Sequence, residues 1–472
     1  MPSSTAATTA APPVPPRAAA RALAAPAALT ALVGALAATV TGGGTLGDPH
    51  PLYGWYFADL ALFAAAVALL RHTPAHRRRA LVLAGSLAVA AVGLLAPPRT
   101  SDDAYRYVWD GRVQAAGISP YRYAPDDPAL AGLRAASPDL FPPTGPCTGW
   151  DERRTADGTC SRLNRPAVHT IYPPVAEGWF RTLAAAGGGV RTAQLGGALL
   201  AVATTALLLT RGRPARAALW GWFPGITVWA VNDAHIDTLG ALLMTAALLT
   251  AVRARTATGR AATARSAAAG ALLGAATAVK LLPGLALPGA LSGVLARRPR
   301  ARDLVLPAAA AAAFLLAYLP YVLGAGTAVL GYLPGYLHEE GYQSGRPARF
   351  GLPRLLLPES AAPYGAALVL LAVVLLVLRR GDPDRPWRGA LAVTGTALLL
   401  AAPGYPWYAL LVVALVGLDG RWEWLAVPAA GEALYLLGGH HQQACYGAAA
   451  AVVLTGLLFR RLLRPVGAEP SP

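Results

Sequence analysis

LVLPAAAAAAFLLAYLPYVL, residues 304–323, carries no charged side chain. As an α-helix rising about 1.5 Å per residue it would be about 30 Å long, the thickness of a bilayer's hydrocarbon core. A soluble surface helix keeps one polar face, and this stretch has none to offer. It predicts a membrane span, and the rest of the chain is read outward from it. Comparable runs lie at about 22–41, 80–96, 190–210, 236–252 and 362–378. Shorter or broken ones lie near 56–70, 215–231, 388–402, 406–418, 424–438 and 444–459. Residues 266–296 are apolar on both sides of Lys280 and Pro283 and read as a re-entrant or kinked pair. The expectation is an all-α polytopic membrane protein with roughly 12–14 transmembrane or re-entrant helices. It forms one domain over 21–464, between a disordered cytoplasmic N-terminus (1–20) and a cytoplasmic tail (465–472).

Composition points the same way. Of 472 residues, 55% are hydrophobic and 14% charged, where soluble domains carry about 25% charged residues. The net charge is +16, but the arginines come in short clusters between apolar runs instead of forming one basic face, which argues against a nucleic-acid partner. The clusters are Arg71 with Arg77–Arg79, Arg211–Arg216, Arg253–Arg265, Arg297–Arg302 and Arg460–Arg464. Basic loops stay in the cytoplasm, which makes the chain a multi-pass protein of the plasma membrane. It also puts two long loops outside: 97–171, with nine acidic and nine basic residues, and 324–350. The stretch 172–186 is short and contains Arg181, so it reads as an interfacial helix. Cys147 and Cys160 lie 13 apart in the first loop. A disulfide between them would close a small lobe and persist only outside the reducing cytoplasm; the alternative is two unrelated thiols.

The first loop opens Ser101-Asp102-Asp103-Ala104-Tyr105-Arg106-Tyr107-Val108-Trp109-Asp110-Gly111-Arg112. As a helix, it puts Asp103, Arg106, Tyr107 and Asp110 on one face, and Tyr105 and Trp109 on another, facing the membrane surface. A carboxylate with one arginine partner stays ionised and suits a general base; a salt-bridged interfacial helix without chemistry is the plainer reading. Gly117–Pro125, with Tyr121, is an extended aromatic run suited to sugar or phosphate contact, or to loop packing. The loop ends at His169 and Tyr172 before two prolines. Ionisable residues within apolar runs are expensive and default to function. Asn232, His235 and Asp237 break two spans, as a polar turn or as groups turned into a cavity. Lys280 needs an anion, either a phosphate or an acid such as Asp237. Arg346 and Arg349 in the second loop are further phosphate ligands, beside His338, Glu339 and Glu340, which read as solvated. Trp407 and Tyr408 begin a late span at the outer face.

These residues, in this order from about 80 to 420, resemble the GT-C class of integral-membrane glycosyltransferases, and within it the actinobacterial polyprenyl-phosphate-mannose-dependent mannosyltransferases. The resemblance is carried by Asp102-Asp103-x-x-Arg106-Tyr107, Trp109-Asp110-Gly111, Gly117-x-x-Pro120-Tyr121, Tyr172-Pro173-Pro174, Asn232-x-x-His235-x-Asp237, Lys280-Leu281-Leu282-Pro283 and Pro406-Trp407-Tyr408. It implies packed helices around an outward cavity. It implies a polyprenyl-phosphate sugar donor, a glycan or glycolipid acceptor, and an early acid of the first loop as base. Spacing to Tyr107 makes that acid Asp103, with Asp102 second. The implied substrate-binding set is Arg106, Tyr107, Asp110, Arg112, Tyr121, His169, Tyr172, Asn232, His235, Asp237, Lys280, Arg346, Arg349, Trp407 and Tyr408. On this reading transfer requires no cofactor and no divalent metal. Two departures leave the acceptor open: Tyr405 stands where many relatives have histidine, and the Cys147–Cys160 segment is an insertion. A polytopic transporter or lipid-linked glycan flippase is the alternative from another class. It would need a central charged path and usually internal repeats, and no repeat is evident. A lipid-polymer polymerase or ligase is a related enzymatic alternative.

Overall fold

The run that opened the reading is helical: α12 spans Val305–Ala325, and Leu315, Leu316, Leu319 and Leu323 on it point away from the rest of the protein. The computed structural model describes residues 16–42, 44–143, 146–155, 157–339 and 349–462. Among these the chain is all-helical apart from one two-residue ribbon. In chain order the helices are α1 Pro16–Gly42, α2 His50–Leu69, α3 Ala75–Val92, α4 Asp103–Ala115, α5 Ala131–Ala135 and α6 Pro174–Ala185. Next come α7 Val190–Leu209, α8 Pro214–Gly221, α9 Asp237–Arg255, α10 Gly259–Thr277, α11 Leu287–Ala290 and the α12 already given. The last six are α13 Leu333–Glu339, α14 Ala362–Arg380, α15 Pro386–Ala401, α16 Leu410–Asp419, α17 Ala426–Leu437 and α18 Gln442–Leu462.

Among the described residues, seven helical stretches are long and apolar enough to cross a membrane: Arg21–Gly42, His50–His72, Val190–Leu209, Asp237–Arg255, Ala301–Glu339, Ala362–Arg380 and Gln442–Arg460. The other expected spans are shorter or interrupted. The run 215–231 bends, because α8 stops at Gly221 and Ile226–Asn232 winds as a wider π-helix. The run 266–296 is broken as its Lys280 and Pro283 led one to expect: α10 ends before Lys280 and is followed by short turns at Leu282–Ala286 and Leu287–Ala290. The stretch after Tyr172 forms only the twelve-residue α6. One expectation is corrected: the chain is already helical at Pro16, so 16–20 do not belong to a disordered N-terminus. Residues 1–15 and the tail 465–472 lie outside the described residues.

Packing follows side-chain size. Helix α16 is buried on every side. Helix α10 lies against α9 and α12, and it reaches α12 through Gly270 and Gly274. A Cβ at either position would come within 2.1 Å of the α12 carbonyl of Leu306 or Ala310. Two glycines four apart let helix backbones touch where lipid supplies no hydrophobic drive.

Residues 97–171 form a lobe at one end of the bundle. Its core is Tyr105, Val108, Trp109, Leu130, Leu140, Phe141 and Leu163. Here the membrane-surface reading of Tyr105 and Trp109 is wrong: Trp109 packs edge-on to Phe141 at 4.8 Å, and the Tyr105 hydroxyl donates to Asp151 at 2.8 Å. The lobe has its own apolar interior, which takes these rings in place of lipid. Cys147 and Cys160 are bridged, with Cα atoms 5.6 Å apart. The arginine-rich turns gather at the far ends of the helices. Arg255 pairs with Asp384 and Arg388 with Asp419, about 28 Å of α9 away from Asp237, at 1.5 Å per residue.

Candidate active site

Asp102 and Asp103 sit where the chain leaves α3 and starts α4, and this junction is held from below. Asn232, at the end of the π-helical turn, donates to the carbonyls of Gly93, Ala96 and Pro97 at 2.9–3.2 Å. Asp233 accepts from the backbone N–H groups of Arg99 and Thr100 and from the Thr100 hydroxyl, and the Tyr435 hydroxyl donates to the Thr100 carbonyl. Ala234 then takes a left-handed conformation, φ +54°, a strained position for a residue with a Cβ. It turns His235 toward the acids. The Asn-Asp-Ala-His-Ile-Asp motif is thus mostly a clamp.

The two acids have different partners. Asp102 forms an ion pair with Arg153 at 2.6 Å. Asn164 Nδ2 donates to both acids, at 2.9 Å to Asp102 and 2.6 Å to Asp103. Asp103 has the Tyr107 hydroxyl and His235 Nδ1 each at 3.5 Å, and 17% of its side chain stays exposed. Burial, then the charge of Asp102, raises the Asp103 pKa above the ordinary carboxylate value, against the pull of Lys280, Asn164 and Arg165. Burial and the charge of Lys280 push His235 well below its usual value, so its ring is neutral. The ring stacks on Trp407 at 3.7 Å. Asp103 is therefore not the arginine-paired carboxylate that the sequence implied. Arg106 is committed to Asp110 at 3.0 Å and to the Val168 carbonyl, because the i, i+4 spacing favours that pair.

The acids open into a cavity of about 720 Å³. Its polar end is Asp102, Asp103, Arg106, Arg153, Asn164, Arg165, His169 and Lys280. Tyr172, Tyr332, Tyr336, Tyr405, Trp407, Tyr408 and Tyr435 form an aromatic belt. Leu281, Leu282, Val329, Leu330, Leu333, Leu337 and Leu398 make an apolar wall. Lys280 bonds Asp237 at 2.8 Å and lies 4.1 Å above the Tyr408 ring. Nothing among the described residues groups three or more metal-ligating side chains.

Not every expected residue arrives here. Arg112 is a strut, bidentate to Asp139 at 2.7–2.8 Å. Tyr121 donates to the Tyr172 carbonyl at 2.6 Å and packs on Tyr321. Asp110 and Asn232 are buried behind the cavity wall. Arg349 is buried with its guanidinium beside Gly404 and does not line the cavity. Arg346 and Glu340 lie outside the described residues. Glu339 is not merely solvated: it accepts from Arg165 at 2.9 Å and from the Tyr332 hydroxyl, and so ties the two long loops together. Arg153, Asn164 and Arg165 were not singled out by the sequence. Their one local signal is position, on either side of the second cysteine. Neither a family model, a curated protein nor a solved structure matches this chain.

Proposed function

We propose that the chain is a GT-C-like glycosyltransferase of the plasma membrane. It moves a sugar, mannose by resemblance, from a polyprenyl phosphate to a hydroxyl of a glycan or glycolipid on the outer face. The observation that carries the reading is Asp103. It is a half-buried carboxylate beside a neutral histidine, at the polar end of a cavity whose other wall is apolar and which also holds Lys280. Such a cavity suits a molecule with a lipid tail and a phosphate head.

The acceptor oxygen attacks the anomeric carbon and the carbon–oxygen bond to phosphate breaks. The electron pair leaves on the polyprenyl phosphate, and the hydroxyl proton passes to Asp103. Direct displacement inverts the anomeric centre. Asn164 orients Asp103, and its raised pKa brings it closer to the working pH, where a general base is most effective. Lys280 and Arg165 stabilise the departing phosphate, and Tyr172, Trp407 and Tyr408 line the wall beside the sugar. Activity falls as pH drops through the Asp103 pKa, because the base becomes protonated. Folding stability moves the opposite way: a carboxyl whose folded pKa is raised adds stability at low pH, lost as pH rises through that value.

The test is purified protein in lipid nanodiscs with a panel of polyprenyl-phosphate sugars and glycan acceptors. Wild type should release polyprenyl phosphate and form glycoside. Asp103→Asn should lose about 10²–10⁴-fold in kcat while keeping its elution profile and donor affinity. Full activity in that variant would end the assignment. Solute uptake into proteoliposomes without a lipid-linked sugar would favour the transporter.

A further inference from the structure

The disulfide-closed hairpin has no part in the transfer chemistry as derived, yet it delivers a side chain to the cavity. Its strands are Arg153–Arg154 and Cys160–Ser161, paired Arg153 to Ser161 and Arg154 to Cys160. Cys160 is bridged to Cys147. The base of the hairpin is docked on α4 by the Tyr105–Asp151 bond at 2.8 Å and by Arg162 over the Tyr105 ring at 5.8 Å, and Arg162 closes the base itself, 3.6 Å from Asp151 and 3.5 Å from Glu152. In this frame Arg153 reaches Asp102 at 2.6 Å and lines the cavity.

Resting on the function proposed above, we propose that Arg153 is a positioning residue that divides labour between the two acids. By holding Asp102 in an ion pair it leaves Asp103 as the proton acceptor, and the Cys147–Cys160 bridge holds Arg153 there. Two carboxylates on adjacent residues that share one asparagine amide repel each other when both are charged. An arginine on one of them offsets part of the repulsion that favours a proton on the pair. The other groups facing Asp103 are Tyr107 on its own helix, Tyr172 before α6, His235 before α9, Lys280 after α10, Tyr435 on α17, and Asn164 and Arg165 from the lobe. Arg153 differs from them in pairing directly with Asp102 from within the disulfide-closed loop. The hairpin thus acts on proton transfer without touching the reacting atoms.

The test follows the acids themselves. Full-length protein in nanodiscs is treated across pH with a carbodiimide, which traps protonated carboxyls, and labelling of Asp102 and Asp103 is mapped by mass spectrometry. Arg153→Ala should move the upper labelling midpoint of the pair to higher pH by about one unit. The acidic limb of the kcat profile should move by the same amount, with KM for donor little changed. Arg153→Lys should bring the midpoint most of the way back to the wild-type value. A Cys147→Ser/Cys160→Ser double variant should reproduce part of it, with monodispersity checked by gel filtration. An unmoved labelling midpoint in Arg153→Ala overturns the proposal. So does an equal loss in Arg153→Ala and Arg153→Lys, which would mark a packing role. A moved midpoint in a protein that transfers no sugar upholds the electrostatic role of Arg153 and defeats the proposed transfer instead.

Discussion

Lys280 is the only lysine in the chain, and its ammonium closes on a carboxylate that is 1% exposed. Its own side chain is 18% exposed, so its charge serves Asp237 on one side and the cavity on the other. Removing one member of a buried pair leaves the other charge uncompensated, at a cost of about 3–5 kcal/mol, whereas removing both is far cheaper. Lys280→Met should lower the thermal midpoint in detergent sharply, and Asp237→Asn with Lys280→Met should recover much of it. Donor affinity should stay low in both, because the second change restores neutrality and not the cation. Recovery of donor binding in the double variant would mean that Lys280 never contacts phosphate. The sequence left two partners open for this lysine, phosphate or Asp237. Only the fold shows that it has the acid and still reaches the cavity.

At the scale of elements, the contact between α10 and α12 determines where Lys280 sits, because the lysine follows the last turn of α10. Gly274 is one of the two points where the helix backbones touch, and the nearer of them to Lys280 in the chain. A Gly274→Leu change drives a side chain into the Ala310 carbonyl and should cost about 1–3 kcal/mol by overpacking. It should also weaken donor binding, because α10 must move to make room. Thermal unfolding and donor titration on the same sample check both; an unchanged midpoint would show that the helices can separate freely. The lobe teaches a related lesson. Helix α4 was legible from its spacing, and its Asp103–Tyr107 and Arg106–Asp110 relations hold. Its aromatic face was not, because spacing shows which residues share a face and not what covers that face. Leu140, Phe141 and Leu163, 25 or more residues further along, supply the cover.

For the whole molecule the governing asymmetry is electrical. The lobe balances its charges while the opposite turns are rich in arginine, and a bilayer between them would hold the lobe on the non-cytoplasmic side. In a Cys445→Ser background, cysteine at exposed Ala131 should react with a membrane-impermeant maleimide in intact cells. Cysteine at exposed Arg260 should react only after permeabilisation. The reverse pattern would place the cavity in the cytosol, where no disulfide would be expected to persist.

Membrane class and helix character follow from local facts: run length and the scarcity of charge in apolar stretches. Each is a property of neighbours along the chain, so the sequence alone determined them. The partners of the acids are of another kind. Arg153 and Asn164 meet Asp102 and Asp103 across fifty or more residues. Those pairings depend on how a disulfide-closed hairpin, a π-helical turn and the short α6 pack together. Such contacts leave no period and no fixed spacing in the sequence, so only the tertiary structure could decide them.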